Sequence, residues 1–147
     1  MPRKQHRQAP ATDLRQRSLR LPADTLARLD SLAEERGQSA NTVAARLIEE
    51  GLRLDRHPLI YFRDAAAGRR PALLGTRLDV WQIIETVRAH EGSVTDTAEY
   101  LAQPEAKIRA AVRYYAEFRD EVDVWSQRMR EIARREEEAF RAEASLA

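Results

Sequence analysis

The chain contains no cysteine, which excludes disulfide scaffolds and thiolate metal sites. Long apolar runs are missing too: stretches such as Pro71-Ala-Leu-Leu74 fall far short of the roughly 20 residues a bilayer-crossing helix requires. Arg3, Lys4 and Arg7 resemble the basic start of a secretory signal, but Gln8, Ala9, Pro10 and Thr12 follow where an apolar stretch is needed, so a cytoplasmic setting is expected. Histidine is scarce, and His6, His57 and His90 lie far apart without paired carboxylates or metal-ligand spacing. His57, before Pro58, reads as a linker residue, and His90 as a helix-end residue near the carbonyl dipole. No Gly-x-Ser-x-Gly, His-Glu-x-x-His or phosphate-loop motif occurs. The expectation is a protein that is not an enzyme, with no catalytic residue, metal or cofactor.

What is present is charge. Of 147 residues 33% are charged and 43% hydrophobic, which suits one or two small soluble domains. Domains of this size bury thin cores, so dimerisation would help them. The net charge of +1 conceals an uneven distribution, with six Arg or Lys against one Asp in residues 1–20 and nine acids against six bases in residues 116–147. Of the 25 basic residues 23 are Arg, a side chain suited to bidentate phosphate or guanine contacts, although codon composition gives the same bias.

Residues 1–13 lack periodicity and read as a mobile basic arm. Residues 14–21 alternate, with Leu19 and Leu21 on one face and Gln16, Ser18 and Arg20 on the other, the pattern of a half-buried strand. Pro22 stops it and can open a helix, predicted from Ala23 to Arg36 with Leu26, Leu29 and Leu32 on one stripe and Gly37 just past its end. A second helix is predicted after Ser39 or Asn41, ending near residues 51–55, with Val43, Leu47, Ile48 and Leu52 on its apolar side. One strand and two helices cannot pair the strand's backbone within one chain, so a second protomer is expected to supply the partner strand.

Arg17-Ser-Leu-Arg-Leu-Pro22, the leucine-repeat helix and Gly37-Gln-Ser-Ala-Asn-Thr42 together resemble the ribbon-helix-helix DNA-binding family over residues 14 to about 54. The resemblance implies a homodimer whose two strands form an antiparallel ribbon in the major groove, with Gln16, Ser18 and Arg20 facing the bases. The residue chemistry agrees, since Arg can bond guanine N7 and O6, Gln can bond adenine N6 and N7, and a hydroxyl can serve either. It further implies phosphate contacts by the free amides at the start of the second helix, around Ala40, Asn41 and Thr42. Arg17 falls on the face of Leu19, where the family usually carries an aliphatic residue; its stem can cover the core edge while its head reaches solvent or phosphate.

From residue 57 the pattern changes. Leu59-Ile-Tyr-Phe62 and Pro71-Ala-Leu-Leu74 read as strands of a small hairpin turning over residues 65–68. Gly75 permits a reversal, and Asp79 is suited to cap a helix carrying Trp81, Ile84 and Val87, which Gly92-Ser93 breaks. Residues 95–101 read as a short helix, 102–103 as a turn and 104–118 as a longer helix burying Ile108, Ala111, Val112, Tyr115 and Phe118. This is a helix-turn-helix pattern, in which Arg109 and Arg113 lie four apart on the opposite face with Lys107 on the flank, as DNA contact would require. Glu99, Glu105 and Glu117 nearby leave the region about neutral, so an ordinary solvated face fits equally. The Gly75-Thr76-Arg77 turn reads as a structural corner, although Arg69, Arg70 and Arg77 would also suit a phosphate.

Gly68-Arg-Arg-Pro-Ala-Leu-Leu-Gly-Thr-Arg77-Leu-Asp-Val80, with Pro104-Glu-Ala-Lys-Ile-Arg-Ala-Ala-Val-Arg-Tyr-Tyr115 downstream, resembles the family known as domain of unknown function 433, over residues 57 to about 120. That resemblance implies a homeodomain-like helical core and an antitoxin setting. Residues 121–146 read as a charged amphipathic helix with Val122, Trp125, Met129, Ile132 and Ala139 or Phe140 at spacings of three or four. It needs a surface: its own domain, its dimer mate or another protein, for which Trp125, Met129, Ile132 and Phe140 would serve as anchors.

The expected fold is mainly α: a basic arm over 1–13, an intertwined ribbon-helix-helix head over 14–55, a hairpin plus helix-turn-helix-like domain over 56–120, and a long C-terminal helix over 121–147. The expected function is that of a repressor binding its own operator, as the antitoxin of a toxin-antitoxin pair; the resemblance implies a PIN-like ribonuclease as the toxin. A stand-alone or architectural DNA binder without a toxin, and a dimeric protein-binding adaptor, are the other readings.

Overall fold

The computed structural model describes residues 13–145. The basic arm expected over 1–13 lies outside them but for Asp13. Among the described residues the chain is mainly helical, with six helices and one two-stranded antiparallel sheet. It divides into two compact units, one ending at Ala45 and the other starting at Arg46.

In the first unit, residues 13–22 join no ladder; the strand expected over 14–21 needs a neighbouring strand, and the described chain pairs only residues of the second unit. Helix α1 (Ala23–Glu35) starts directly after Pro22, whose φ of −55° and ψ of 145° set the entry and whose carbonyl accepts from the Leu26 amide at 3.1 Å. It ends because Gly37 takes φ +60°, which lets the Gln38 amide reach the Ala33 carbonyl (3.0 Å) and the Gly37 amide reach that of Glu34 (3.1 Å). This double closure satisfies carbonyls that the last turn would leave open. Ser39 then caps helix α2 (Ala40–Arg56), its Oγ accepting from the Thr42 amide at 3.1 Å. Of the two cap residues open in the sequence, Ser39 is the one used. Only Ala33 and Val43 are buried in this unit, while Leu14, Leu19, Leu21 and Leu26 stay exposed.

The second unit begins inside α2, upstream of the boundary at 55–56 expected from the sequence. The reason is ionic: Glu50 binds Arg69, Arg53 binds Tyr114 and Glu121, and Arg56 binds Glu117. The last three turns of α2 are thereby tied to the hairpin and to the C-terminal helices.

Strands β1 (Ile60–Arg63) and β2 (Arg70–Leu73) pair antiparallel with Ile60 opposite Leu73 and Arg63 opposite Arg70. Each is shifted by one residue from the span read in the sequence. Like charges directly opposite are unfavourable in a sheet, and here Asp79 resolves the conflict by accepting from Arg63 Nε at 2.6 Å and Arg70 Nε at 2.5 Å. Its carboxylate, 1% exposed, also accepts from Trp81 Nε1 at 3.1 Å. The cap of helix α3 (Val80–Ala89) accordingly comes from Gln82, whose side chain accepts from the Asp79 amide at 2.8 Å.

Helix α4 (Val94–Tyr100) is capped by Ser93, which accepts from the Asp96 amide at 3.1 Å. It turns into α5 (Glu105–Glu117) through Ala102, whose φ of 51° lies in the left-handed region. The Gln103 amide bonds the Ala98 carbonyl at 2.9 Å, a glycine-type helix end carried by an alanine. Replacing Ala102 with Gly is expected to stabilise the protein by about 0.5 to 1 kcal/mol, because strain at a β-carbon outweighs the extra unfolded-state freedom. A rise in the urea midpoint checks it; a fall would mean that the strain is absent.

Helix α6 (Arg119–Ala144) completes the unit. Helix α3 packs on β2, α4, α5 and α6, around a core of Ile60, Leu73, Val80, Ile83, Ile84, Ala98, Ile108, Ala111, Tyr114 and Val122. On α5 it is Tyr114, not Tyr115, that is fully buried, and Val112, Tyr115 and Phe118 only flank the core. A tyrosine can be buried where its hydroxyl is bonded. Tyr114 accepts from Arg53 Nη1 at 2.8 Å and donates to Glu121 at 3.3 Å, whereas the Tyr115 hydroxyl meets Asp123 and Arg88 near the surface.

Candidate nucleic-acid interface

The residues expected to read bases lie in the segment before α1. Gln16, Ser18 and Arg20 are all exposed, as is Arg17. Among the described residues neither Arg17 nor Arg20 is held by a carboxylate; the one ion pair of this segment joins Arg15 to Asp13 at 2.8 Å. Leu19 is 60% exposed and Leu21 43%, so the apolar face of the segment is as open as its polar face. At the start of α2 the Thr42 amide is already taken by Ser39, whose hydroxyl also bonds Thr42 Oγ1 at 2.8 Å. Ala40 and Asn41 precede the first in-helix bond, from the Val43 amide to the Ser39 carbonyl, and keep amides for an outside acceptor.

In the second unit the three basic residues of α5 separate. Lys107 turns toward the reversal after β2, so that a β-carbon on Gly75 would lie 3.5 Å from its Nζ. Arg109 and Arg113 instead share a groove with Arg56, His57, Pro58 and Leu59, which run from the end of α2 into β1. Its volume is about 280 Å³, and Ala106 and Ala110 complete its lining. Arg109 bonds Glu105 at 3.0 Å and Arg56 bonds Glu117 at 3.1 Å, while Arg113 has no ionic partner among the described residues. His57 is largely buried, with Nε2 2.8 Å from Glu117 and its ring edge-on to Tyr114. Sequence reading missed Arg56 and His57 because the stretch before Pro58 looked like a plain linker. Their pairing with Glu117, sixty residues away, left no local signal.

The bonded carboxylates titrate low. The His57 hydrogen bond, with Arg56 beside it, holds Glu117 below the usual carboxylate range, and Arg88 does the same for Asp123. A group with a lowered folded pKa adds stability that is complete above its unfolded pKa and disappears as pH falls through the folded one. Stability against urea should therefore be level from pH 7 to about 5 and decline below about pH 4, as these carboxyls take up protons. A decline that starts near pH 6 would contradict this origin.

The residues expected to anchor a partner also divide. Trp125 is half-buried on the second unit's own hairpin: a β-carbon on Gly68 would lie 3.1 Å from its ring, and Arg70 and Arg128 lie over it at 5.6 and 5.2 Å. Met129 and Ile132 face Ala65, Ala66 and Ala67 of the turn across a cavity of about 340 Å³. Phe140 stands apart, 70% exposed, in a stretch of α6 held by in-helix pairs such as Arg134–Glu138 and Arg141–Glu137. Docking on its own domain thus uses Trp125 and leaves Phe140 open.

No family model, curated protein or solved structure matches the chain. Among the described residues no three His, Asp or Glu side chains gather as metal ligands, and no helix is long and apolar enough to cross a membrane.

Proposed function

We propose that the chain is a homodimeric, sequence-specific DNA-binding repressor with a ribbon-helix-helix head, acting as the antitoxin of a toxin-antitoxin pair. The observation that carries this reading is the first unit itself. A segment with alternating polar and leucine positions leads through Pro22 into α1, a Gly37 closure and the Ser39-capped α2, while only Ala33 and Val43 are buried. Leu19, Leu21 and Leu26 remain exposed in that unit, and α2 also exposes Leu47, Ile48 and Leu52. So much apolar surface suits a second copy whose strand pairs antiparallel with this one and whose helices close over the leucines. Pairing turns Gln16, Ser18 and Arg20 of both chains to the outer face of one ribbon, where base edges are read, and the Ala40 and Asn41 amides toward phosphate.

The second unit and α6 are then available for a further contact with DNA or for a toxin, with Phe140 the exposed apolar residue of α6. A PIN-like ribonuclease is the toxin that the antitoxin reading implies. Binding of the full chain to DNA from upstream of its own gene, against a scrambled duplex over a salt series, tests the proposal. A marked preference for the upstream duplex supports it. Equal, weak binding of both leaves an architectural binder, and no binding of either leaves a dimeric protein adaptor.

A further inference from the structure

The groove between residues 56–59 and α5 combines three features that the rest of the second unit does not bring together. It gathers three guanidiniums, Arg56, Arg109 and Arg113, from two elements that are distant in sequence. Ala106 and Ala110 among its lining residues carry nothing beyond a β-carbon, so a ligand can come close to the helix backbone between the arginines. Its charges are also unbalanced. Three guanidiniums face the carboxylates of Glu105 and Glu117, which leaves one positive charge in excess, and Arg113 is the group without a partner.

We propose that this groove binds a phosphodiester group of nucleic acid and gives the chain a second contact with DNA, independent of sequence. Arginine suits the task because its planar donors meet phosphate oxygens in pairs. The carboxylates do not block it: Arg109–Glu105 and Arg56–Glu117 are surface pairs, and such pairs contribute so little in water that an incoming phosphate displaces or bridges them. Pro58 and Leu59 wall the other side without a charge, and His57 is committed to Glu117, so the recognition falls to the arginines. Lys107 has no part in it, since its ammonium lies by Gly75.

The proposal rests on the reading that the chain binds duplex DNA, and its test separates the two. Full-length protein, the double variant Arg109→Ala/Arg113→Ala and the triple variant Gln16→Ala/Ser18→Ala/Arg20→Ala are titrated with upstream and scrambled duplexes over a salt series. Loss of the groove contact should weaken binding of both duplexes by the same factor, about 3- to 30-fold near 0.1 M salt, and flatten the log–log salt slope by about 1 to 2. The ratio between the duplexes should stay unchanged. An unaltered slope in the groove variant, with melting equal to that of the parent chain, overturns the proposal even if the triple variant loses its preference. If instead the triple variant behaves like the parent while the groove variant flattens the slope, the ribbon reading fails and the groove stands. A free-phosphate site is distinguished by nuclear magnetic resonance: saturable shifts of the Arg113 signals with inorganic phosphate but none with duplex overturn the nucleic-acid assignment. Absence of duplex binding by the parent chain at low salt does so as well.

Discussion

Alanine in place of Gln16, Ser18 and Arg20 together is expected to erase preference for the upstream duplex while leaving folding and dimerisation unchanged. All three side chains are exposed, and Arg20 has no hydrogen-bond or ionic partner among the described residues, so their removal costs the folded chain almost nothing. On DNA the balance is different. One bidentate arginine–guanine contact discriminates by about 1 to 3 kcal/mol, so Arg20→Ala alone should reduce specific binding about 10- to 100-fold. In a two-fold dimer each substitution acts twice, and the triple variant should fall to the level of scrambled DNA. Anisotropy titration with both duplexes measures the ratio, and sedimentation of the variant checks the dimer. A triple variant that keeps its preference would remove the ribbon as reader. The leucines make the opposite prediction sharp, because Leu19 and Leu21 alternate with the reading residues and would face the helices of the dimer. A change there should break the dimer first and DNA binding only as a consequence.

Local patterns carried most of the helical architecture. Gly37 after a leucine stripe, Ser39 before an apolar run and Gly92-Ser93 between two such runs each mark a backbone event with one physical solution, and all three helix boundaries follow them. The hairpin was legible for the same reason, as two short apolar runs around a turn. What escaped was everything set by charge pairing across long sequence separations. Arg53 looked like any residue on a solvated helix face. It lies instead 4.1 Å over the Phe118 ring, with Glu121 at 2.5 Å and Tyr114 at 2.8 Å. Burial opposes its charge, but Glu121 and Glu49 together hold it firmly protonated, and burial drives the Tyr114 hydroxyl to titrate far above its usual range. The choice of Tyr114 over Tyr115 for the core depends on that arginine. Helical periodicity cannot distinguish two adjacent tyrosines that both border an apolar stripe. The ribbon residues are the reverse case: their alternation was plain in the sequence, while their pairing partner is not part of the same chain.

Asp79→Asn is expected to be the most destabilising single change in the second unit, at about 3 to 5 kcal/mol. The substitution keeps the size of the side chain and removes only its charge. The Arg70 side chain is 9% exposed and that of Arg63 30%, and both face Asp79 across a hairpin that places them directly opposite each other. With the carboxylate gone, two guanidiniums remain opposed, one of them buried, and Trp81 Nε1 faces a weaker acceptor. Arg70 has no second acceptor to turn to, since its Nη1 is already buried without a partner. A loss of this size is a large part of the 5 to 15 kcal/mol that holds a typical domain together, so the urea midpoint should drop steeply. Removing the buried charge along with its counter-charge separates ionic from packing effects. Asp79→Asn combined with Arg70→Met should recover more than half of the loss, because a methionine fills the space beside Trp125 without requiring an acceptor. If Asp79→Asn costs less than about 1 kcal/mol, the like-charged pair is solvated well enough to stand alone. The one-residue shift of both strands would then need a cause other than this carboxylate.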